Sequence, residues 1–363
     1  MTTGSARPDP VREFLLDRIA AGAMPGATWW VEGPKGVISR GAVGDATIEP
    51  VLEPALEDTP YDLASLTKPL ATALLAVLIE GEGKIDTGAP AVDLLPELRG
   101  SAYETVTLAS LAAHRAGLPA WRPLYLDAST AEGYVRAIAR TVPADAPGTT
   151  RYSDLSYLLL GAAVERAAGE RLDRLFDRRV AGPLGLLSTG FAGSGGRFTH
   201  AAATENGSRL ERGMAGASGE GHEWRTAIPR GEVHDGNAHG LRGVAGHAGL
   251  FGTAAEVAAI GREILAPDSL ALSAAARLRL LVPVAGPGTR TFGFTTAALS
   301  GAARDVLPEG SPGHTGFTGT SVWLDPGAGR VYVLLTNRIH PAVPDGDFQP
   351  VRREFHRIAA ALA

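Results

Sequence analysis

Residues 61–79 read YDLASLTKPLATALLAVLI, and the fold turns on what begins inside them. From Ser65 to about Ile79 nearly every position is apolar or small. That pattern specifies a helix buried on most sides, not an amphipathic surface helix. Pro69 limits where it starts, because proline is tolerated only while the preceding N–H groups are still unpaired. The first turn therefore begins near Ala64 or Ser65, which puts Ser65 at the positive end of the helix dipole. Lys68 follows three residues later on the same face. The apolar run PLATALLAVLI is about half the length needed to cross a bilayer, so no membrane partner is expected.

Lysine is scarce: Lys35, Lys68 and Lys84 stand against 31 arginines. A chain that supplies fixed positive charge with arginine keeps a lysine where the proton has to leave near neutral pH. Burial disfavours the ammonium, so Lys68 is expected to carry a depressed pKa. With 363 residues the chain exceeds the size at which one core keeps growing, and two intimately joined domains are expected. Hydrophobic residues at 45% and charged residues at 20% suit a packed globular enzyme. A net charge of −5, with no basic stripe interleaved with aromatics, argues against a nucleic-acid partner. The absence of cysteine excludes disulfides, thiolate zinc sites and cysteine nucleophiles. The start, MTTGSARPDPVREFLL, lacks the basic and apolar regions of a secretory leader, so a cytoplasmic location is expected.

Working outward, an amphipathic helix is expected at 9–22 and a hairpin at 27–44 around Gly-Pro-Lys-Gly. YSDLSYLLLGAAVERAAGE (152–170) reads as a helix capped by Ser153 or Asp154 and stopped by Gly169, with Tyr152 just outside its N-terminus. Between 190 and 252 the composition shifts to Gly, Ala, Ser and His with little periodicity, which suggests a functional rim or lid. Residues 316–338 read as two strands joined by a Pro-Gly turn, and a helix follows at 348–362. Strand signals thus cluster at both chain ends. If the ends pair in one antiparallel sheet, residues 1–64 and 280–363 form a sheet domain, residues 65–279 a mostly helical one, and the site lies in the seam between them.

Three short stretches can meet in that seam: SLTK (65–68), YSD (152–154) and HTG (314–316). The Lys68 amine reaches the Ser65 hydroxyl across one helical turn, and a desolvated amine is a base. A serine at a helix N-terminus also sets backbone N–H groups where an oxyanion forms. Acyl transfer needs a second proton carrier for the leaving group, and Tyr152 qualifies, although a buried phenol is more often a core residue with its O–H satisfied.

In order and spacing these stretches resemble the S-x-x-K, Y-x-N and K-T-G elements of the serine β-lactamase and penicillin-binding-protein superfamily, in its class C-like branch. VTLASLAAHRAGLP (106–119), PLGLLSTGF (183–191), GVAGHAGLFGTAAEV (243–257) and LLTNRIHPAVPDGDFQPVRREFHRI (334–358) are similar to recurring segments of that branch, so the resemblance covers about 27–360. It implies an α/β (α+β) fold with an antiparallel sheet flanked by helices. It also implies a serine hydrolase that forms an acyl-enzyme with a small ester, amide or peptide, without a cofactor. By the same resemblance Ser65 is the nucleophile, Lys68 its base and Tyr152 the proton shuttle, with an oxyanion hole from the Ser65 and Phe317 N–H groups. Asp154, His314, Thr315, Gly316 and His247 are the implied substrate-binding residues. A biosynthetic acyltransferase using the same acyl-enzyme, or a sensor that is acylated without turnover, remain alternatives.

Two positions depart from the pattern. Asp154 replaces an amide donor with an acceptor, and His314 replaces a permanent cation with an imidazole that is mostly neutral. Both changes lead to the expectation that esters are preferred over anionic β-lactams. His234, Asp235, His239 and His247 invite a metal, but no pair has the spacing that puts two imidazoles on one helical face, and no metal is expected.

Overall fold

The structure is a computed structural model that describes residues 9–193, 197–266, 272–283 and 290–362. Residues 1–8 of the N-terminal stretch and residues 194–196 of the 190–252 segment lie outside the described residues. The first elements are α1 (Pro10–Ala20), the hairpin strands β1 (Gly26–Gly33) and β2 (Gly36–Thr47), and the two-residue strands β3 (Glu53–Pro54) and β4 (Tyr61–Asp62). Helix α2 (Leu74–Gly81), helix α3 (Asp154–Ala168), strands β5 (Gly190–Phe191) and β6 (Leu250–Gly252), and helix α4 (Ala254–Leu265) come next. The last elements are β7 (Thr295–Thr296), β8 (Pro312–Thr315), β9 (Ser321–Asp325), β10 (Arg330–Thr336) and helix α5 (Gln349–Ala360).

Both ends of the chain meet in one seven-stranded antiparallel sheet of order β3-β2-β1-β10-β9-β8-β7. The closing contact is β1 on β10, with Trp30 opposite Val333. Side chains alternate between faces along a strand, and β10 shows it. Val331, Val333 and Leu335 join the large core shared with the helices, whereas Tyr332 and Leu334 join a smaller core under α1 and α5. Helix α4 crosses the first face at Gly261, where a Cβ would stand 2.8 Å from Val331 Cγ1. A larger residue there would lift the helix off the sheet.

The buried helix forms as expected, with a distinct start. A 3₁₀ turn over Ala64–Leu66 leads into a π-type turn over Lys68–Ala73, and only then into α2. Widened turns of this kind recur at functional sites, and Pro69 supplies a local cause because it has no N–H to donate. Ala64–Gly81 as a whole is long and apolar enough to span a bilayer, but 78% of it is buried inside the protein, which is the use its composition serves. Helix α3 is capped by Ser153, whose Oγ accepts from the Ser156 N–H, and stops at Gly169 with φ +72°.

The 190–252 segment holds more regular structure than its composition suggests. Strands β5 and β6 pair with β4 in a three-stranded sheet of order β4-β6-β5, and short helices occupy Arg209–Ala215 and Gly236–Gly240. Strands of two and three residues are too short to write a period into the sequence. The pairing matters because Asp62 lies opposite Phe251, which brings the chain around residues 234–250 against Ser65.

Candidate active site

Ser65 is set by a strained turn. Ala64 adopts φ +47°, a left-handed conformation that costs a residue with a Cβ about 1 kcal/mol or more. Neighbouring groups hold the strain. Asp62 Oδ1 accepts from the Ala64 N–H at 2.8 Å, while the hydroxyls of Thr318 and Thr320 donate to the Asp62 and Leu63 carbonyls. The loop after β8 is thereby fastened to the turn that carries the serine.

Two donors converge on Ser65 Oγ: Lys68 Nζ at 2.9 Å and the Tyr152 hydroxyl at 2.8 Å. Lys68 is fully buried, and its Nζ also donates to the His247 carbonyl at 3.1 Å. The structure therefore brings SLTK, YSD and the GHAG turn to one point. HTG arrives from β8. His314, Thr315, Gly316 and Phe317 line the same cavity of about 520 Å³ as Ser65, Tyr152, Asp154 and His247. Among the described residues neither the Ser65 nor the Phe317 N–H donates a hydrogen bond, so both are free for an oxyanion. Arg352 fixes the second of them by donating to the Gly316 and Gly319 carbonyls on either side of the turn.

The expected depression of the Lys68 pKa is reversed. Burial pushes it down, but the Asp154 carboxylate, 2.7 Å from Nζ, and the Tyr152 phenol outweigh that, and the net shift is upward. Asp154 lines the cavity, yet its Oδ1 is engaged with the lysine and not offered to a substrate amide. The Tyr152 phenol is also raised, by burial first, with Lys68 opposing. His314 behaves as expected. Burial, then the positive charges of Lys68 and Arg290, push it down to about 3, and its Nδ1 donates to the Thr315 carbonyl at 2.8 Å.

The histidines of 234–247 are partnered separately. His234 Nε2 meets Glu205 at 2.9 Å, His247 Nε2 donates to Asp235 Oδ1 at 2.8 Å, and His239 is half-exposed beside Glu232. Among the described residues no group of three acids or histidines converges as a metal site. His114 is a neighbour that spacing did not single out. Its Nδ1 accepts from the Ser153 N–H, and its ring lies 4.6 Å from that of Tyr152, seating the phenol.

Arg290 was also missed. It lines the cavity with its Cζ 5.8 Å from the centre of the Tyr152 ring, and its Nε is buried without a partner among the described residues. Burial lowers its pKa, and only tyrosines oppose the shift, with no carboxylate. Residues 286–294, GPGTRTFGF, offer neither a motif nor a period to reveal it.

Residues 11–354 match the β-lactamase family, and the chain belongs to it. It is a serine hydrolase of that family. A putative D-alanyl-D-alanine carboxypeptidase of Escherichia coli (strain K12) is 29% identical over 322 residues, covering 82% of this chain and 73% of the relative. An N-acetylmuramyl-L-alanine amidase of Bacillus subtilis (strain 168) is 28% identical over 366 residues, covering 93% and 82%. EstCE1, a hydrolase with promiscuous acyltransferase activity, superposes with a TM-score of 0.73 at 22% identity, covering 96% of this chain and 97% of its own, and shows the fold.

Proposed function

We propose that the chain cleaves a small amide or ester whose leaving group ends in a carboxylate, through an acyl-enzyme on Ser65. The observation that carries this is Arg290, a cation facing the cavity beside Tyr152 with no acid to neutralise it among the described residues. A cation partly withdrawn from water and without an acid is best relieved by an anion. The expected preference for esters or activated acyl groups over anionic β-lactams rested on Asp154 and on the loss of a fixed cation at His314, and Arg290 supplies a cation from a different element. A relative named for D-alanyl-D-alanine carboxypeptidase activity agrees with such a leaving group.

In this reading Lys68 is neutral when it acts. A substrate that seals the cavity brings the ion pair and the neutral pair closer in energy, so the Lys68 proton moves to Asp154. Ser65 then attacks the carbonyl carbon and passes its proton to the Lys68 amine. The oxyanion is held by the Ser65 and Phe317 N–H groups. Tyr152 protonates the departing nitrogen or oxygen and recovers its proton from Lys68. Deacylation reverses the relay: the acceptor water gives a proton to Tyr152, Tyr152 gives its own to Lys68, and Lys68 returns one to Ser65 as the ester breaks.

The test compares kcat/KM for a D-Ala-D-Ala-terminated peptide and for its C-terminal amide. The free acid is expected to be preferred at least about tenfold, as suits a charge-assisted contact. Arg290→Met is expected to erase that ratio. Equal turnover of acid and amide by the native protein overturns the proposal.

A further inference from the structure

The wall of the cavity away from Arg290 is acidic, and its charges are incompletely matched. The short helix Arg209–Ala215 presents Leu210, Glu211 and Met214 to the cavity, and Asp235 lies beside them. Glu211 is only 6% exposed. Its Oε1 accepts from the Gly236 N–H at 2.6 Å, and the Tyr125 phenol is its remaining polar neighbour, so the carboxylate keeps lone pairs free. Gly236 leaves room for it, because a Cβ there would stand 2.2 Å from Oε2. Asp235 uses Oδ1 for both the Ala238 N–H and His247 Nε2, which leaves Oδ2 without a hydrogen bond among the described residues.

The neighbouring acids are satisfied in other ways. Asp62 is filled by the Ala64 and His234 N–H groups, and Glu205 is paired with His234. Glu211 has no basic residue in hydrogen-bond contact among the described residues, and its pKa is pushed up to about 7 by burial first and then by Asp235. Two carboxylates are too few to hold a metal without further ligands, and no third converges here among the described residues. A group that donates several hydrogen bonds and carries positive charge completes this wall.

We propose that Glu211 and Asp235 form an ammonium subsite, so that the acyl donor carries a protonated amine near its scissile carbonyl, as the N-terminal residue of a short peptide does. The amine bridges Glu211 Oε2 and Asp235 Oδ2, with Trp121, Leu210 and Met214 flanking the rest of the acyl group. The position follows from the relay. Arg290 stands over Tyr152, which protonates the leaving group, whereas Asp235 stands behind His247, whose carbonyl holds Lys68. This inference rests on the acyl-enzyme reading above, and together the two make the cavity a receptor for a zwitterion.

The test is binding without turnover. The Ser65→Ala protein is titrated by calorimetry at pH 7.5 with D-alanyl-D-alanine, its N-acetyl derivative and its C-terminal amide. N-acetylation is expected to weaken binding at least tenfold, and Glu211→Gln, which keeps an acceptor for the Gly236 N–H, to shrink that effect below threefold. N-acetyl peptide bound as tightly as the free amine, as a site for neutral hydroxyl-rich groups would do, overturns the inference. So does an N-acetylation effect that survives Glu211→Gln, and so does failure of all three peptides to bind at millimolar concentration. The N-acetyl comparison needs no Glu211 variant, so it stands even if that variant misfolds. The amide comparison reports on the cations of the cavity, Arg290 with Arg338 and Arg352, so an amide bound as well as the acid removes the carboxylate subsite and leaves the ammonium subsite standing.

Discussion

Lys68 and Arg290 are both cations beside the Tyr152 ring, and they differ in what answers their charge. Lys68 is wholly buried but has Asp154 at 2.7 Å, together with the Ser65 hydroxyl and the His247 carbonyl. Arg290 has the Tyr152 ring and no carboxylate among the described residues. A buried charge with a full set of partners belongs to the protein's own chemistry, because its proton and position are set before any ligand arrives. One without them is stabilised only by what binds. Completeness of pairing therefore separates machinery from recognition around Tyr152.

The comparison breaks most severely at Lys68. Arginine cannot give up its proton, so Lys68→Arg preserves the charge beside Asp154 and removes the base. Loss of general-base catalysis is worth on the order of 10²–10⁴ in rate, and ester turnover is expected to fall into that range. Intact mass after treatment with a fluorophosphonate measures the acylation step directly. Near-native acylation and turnover in this variant would falsify the assignment of Lys68 as the base.

How much of this was legible in the sequence depended on whether the decisive partner was local. The Ser65–Lys68 contact lies within one turn, and the Ser153 and Gly169 caps of α3 are written at its ends, so both could be read from spacing. The convergence of the three motifs came from resemblance, not from physics along the chain. The Lys68 pKa was misjudged because burial is visible in an apolar run, whereas the Asp154 carboxylate that reverses it arrives from another helix. Glu211 and Arg290 went unread for a similar reason, and Asp235 was legible only as one of a cluster that invites a metal. Two-residue strands such as β4 carry no period, yet β4 and β6 dock the acidic wall against Ser65, and Arg290 follows a Gly- and Pro-rich stretch.

Asp154 is where the comparison can be sharpened, since its removal makes Lys68 resemble Arg290. Without the carboxylate, burial acts on the amine with less opposition, and the Lys68 pKa falls. Turnover requires the neutral amine, which the native protein makes inside the pair by passing the Lys68 proton to Asp154. In Asp154→Asn that acceptor is gone and the proton has to leave to solvent, so kcat/KM is expected to acquire an acidic limb that the native profile lacks. At pH 6 the variant is then expected to keep a smaller share of its plateau activity than the native protein does. The stability sign is fixed by linkage. A lysine raised on folding contributes fully below its unfolded value near ~10.4 and loses that contribution as pH rises through the folded value. The native protein should therefore lose more melting temperature between pH 9 and pH 12 than the variant, and superimposable profiles would show that the ion pair does not govern Lys68.

The smallest effect concerns stability at neutral pH, and there the two cations are expected to differ in sign. Lys68→Met strands the Asp154 carboxylate, which is 19% exposed and partly relieved by water, so a loss of about 2 kcal/mol is expected, below the range for a fully buried broken pair. Arg290→Met strands nothing, because no carboxylate faces it among the described residues. Replacing a partly buried guanidinium that has no carboxylate with an apolar chain of similar length is expected to gain up to about 1 kcal/mol, the low end of what is seen when buried charges give way to hydrophobic residues. In a chain this large that corresponds to a rise in melting temperature of roughly 1–3 °C. Calorimetric melts of the two variants at pH 7.5 without ligand decide the matter. A destabilised Arg290→Met protein would mean that the guanidinium is already satisfied in the empty cavity, and the distinction between a paired working cation and an unpaired receiving one would fail.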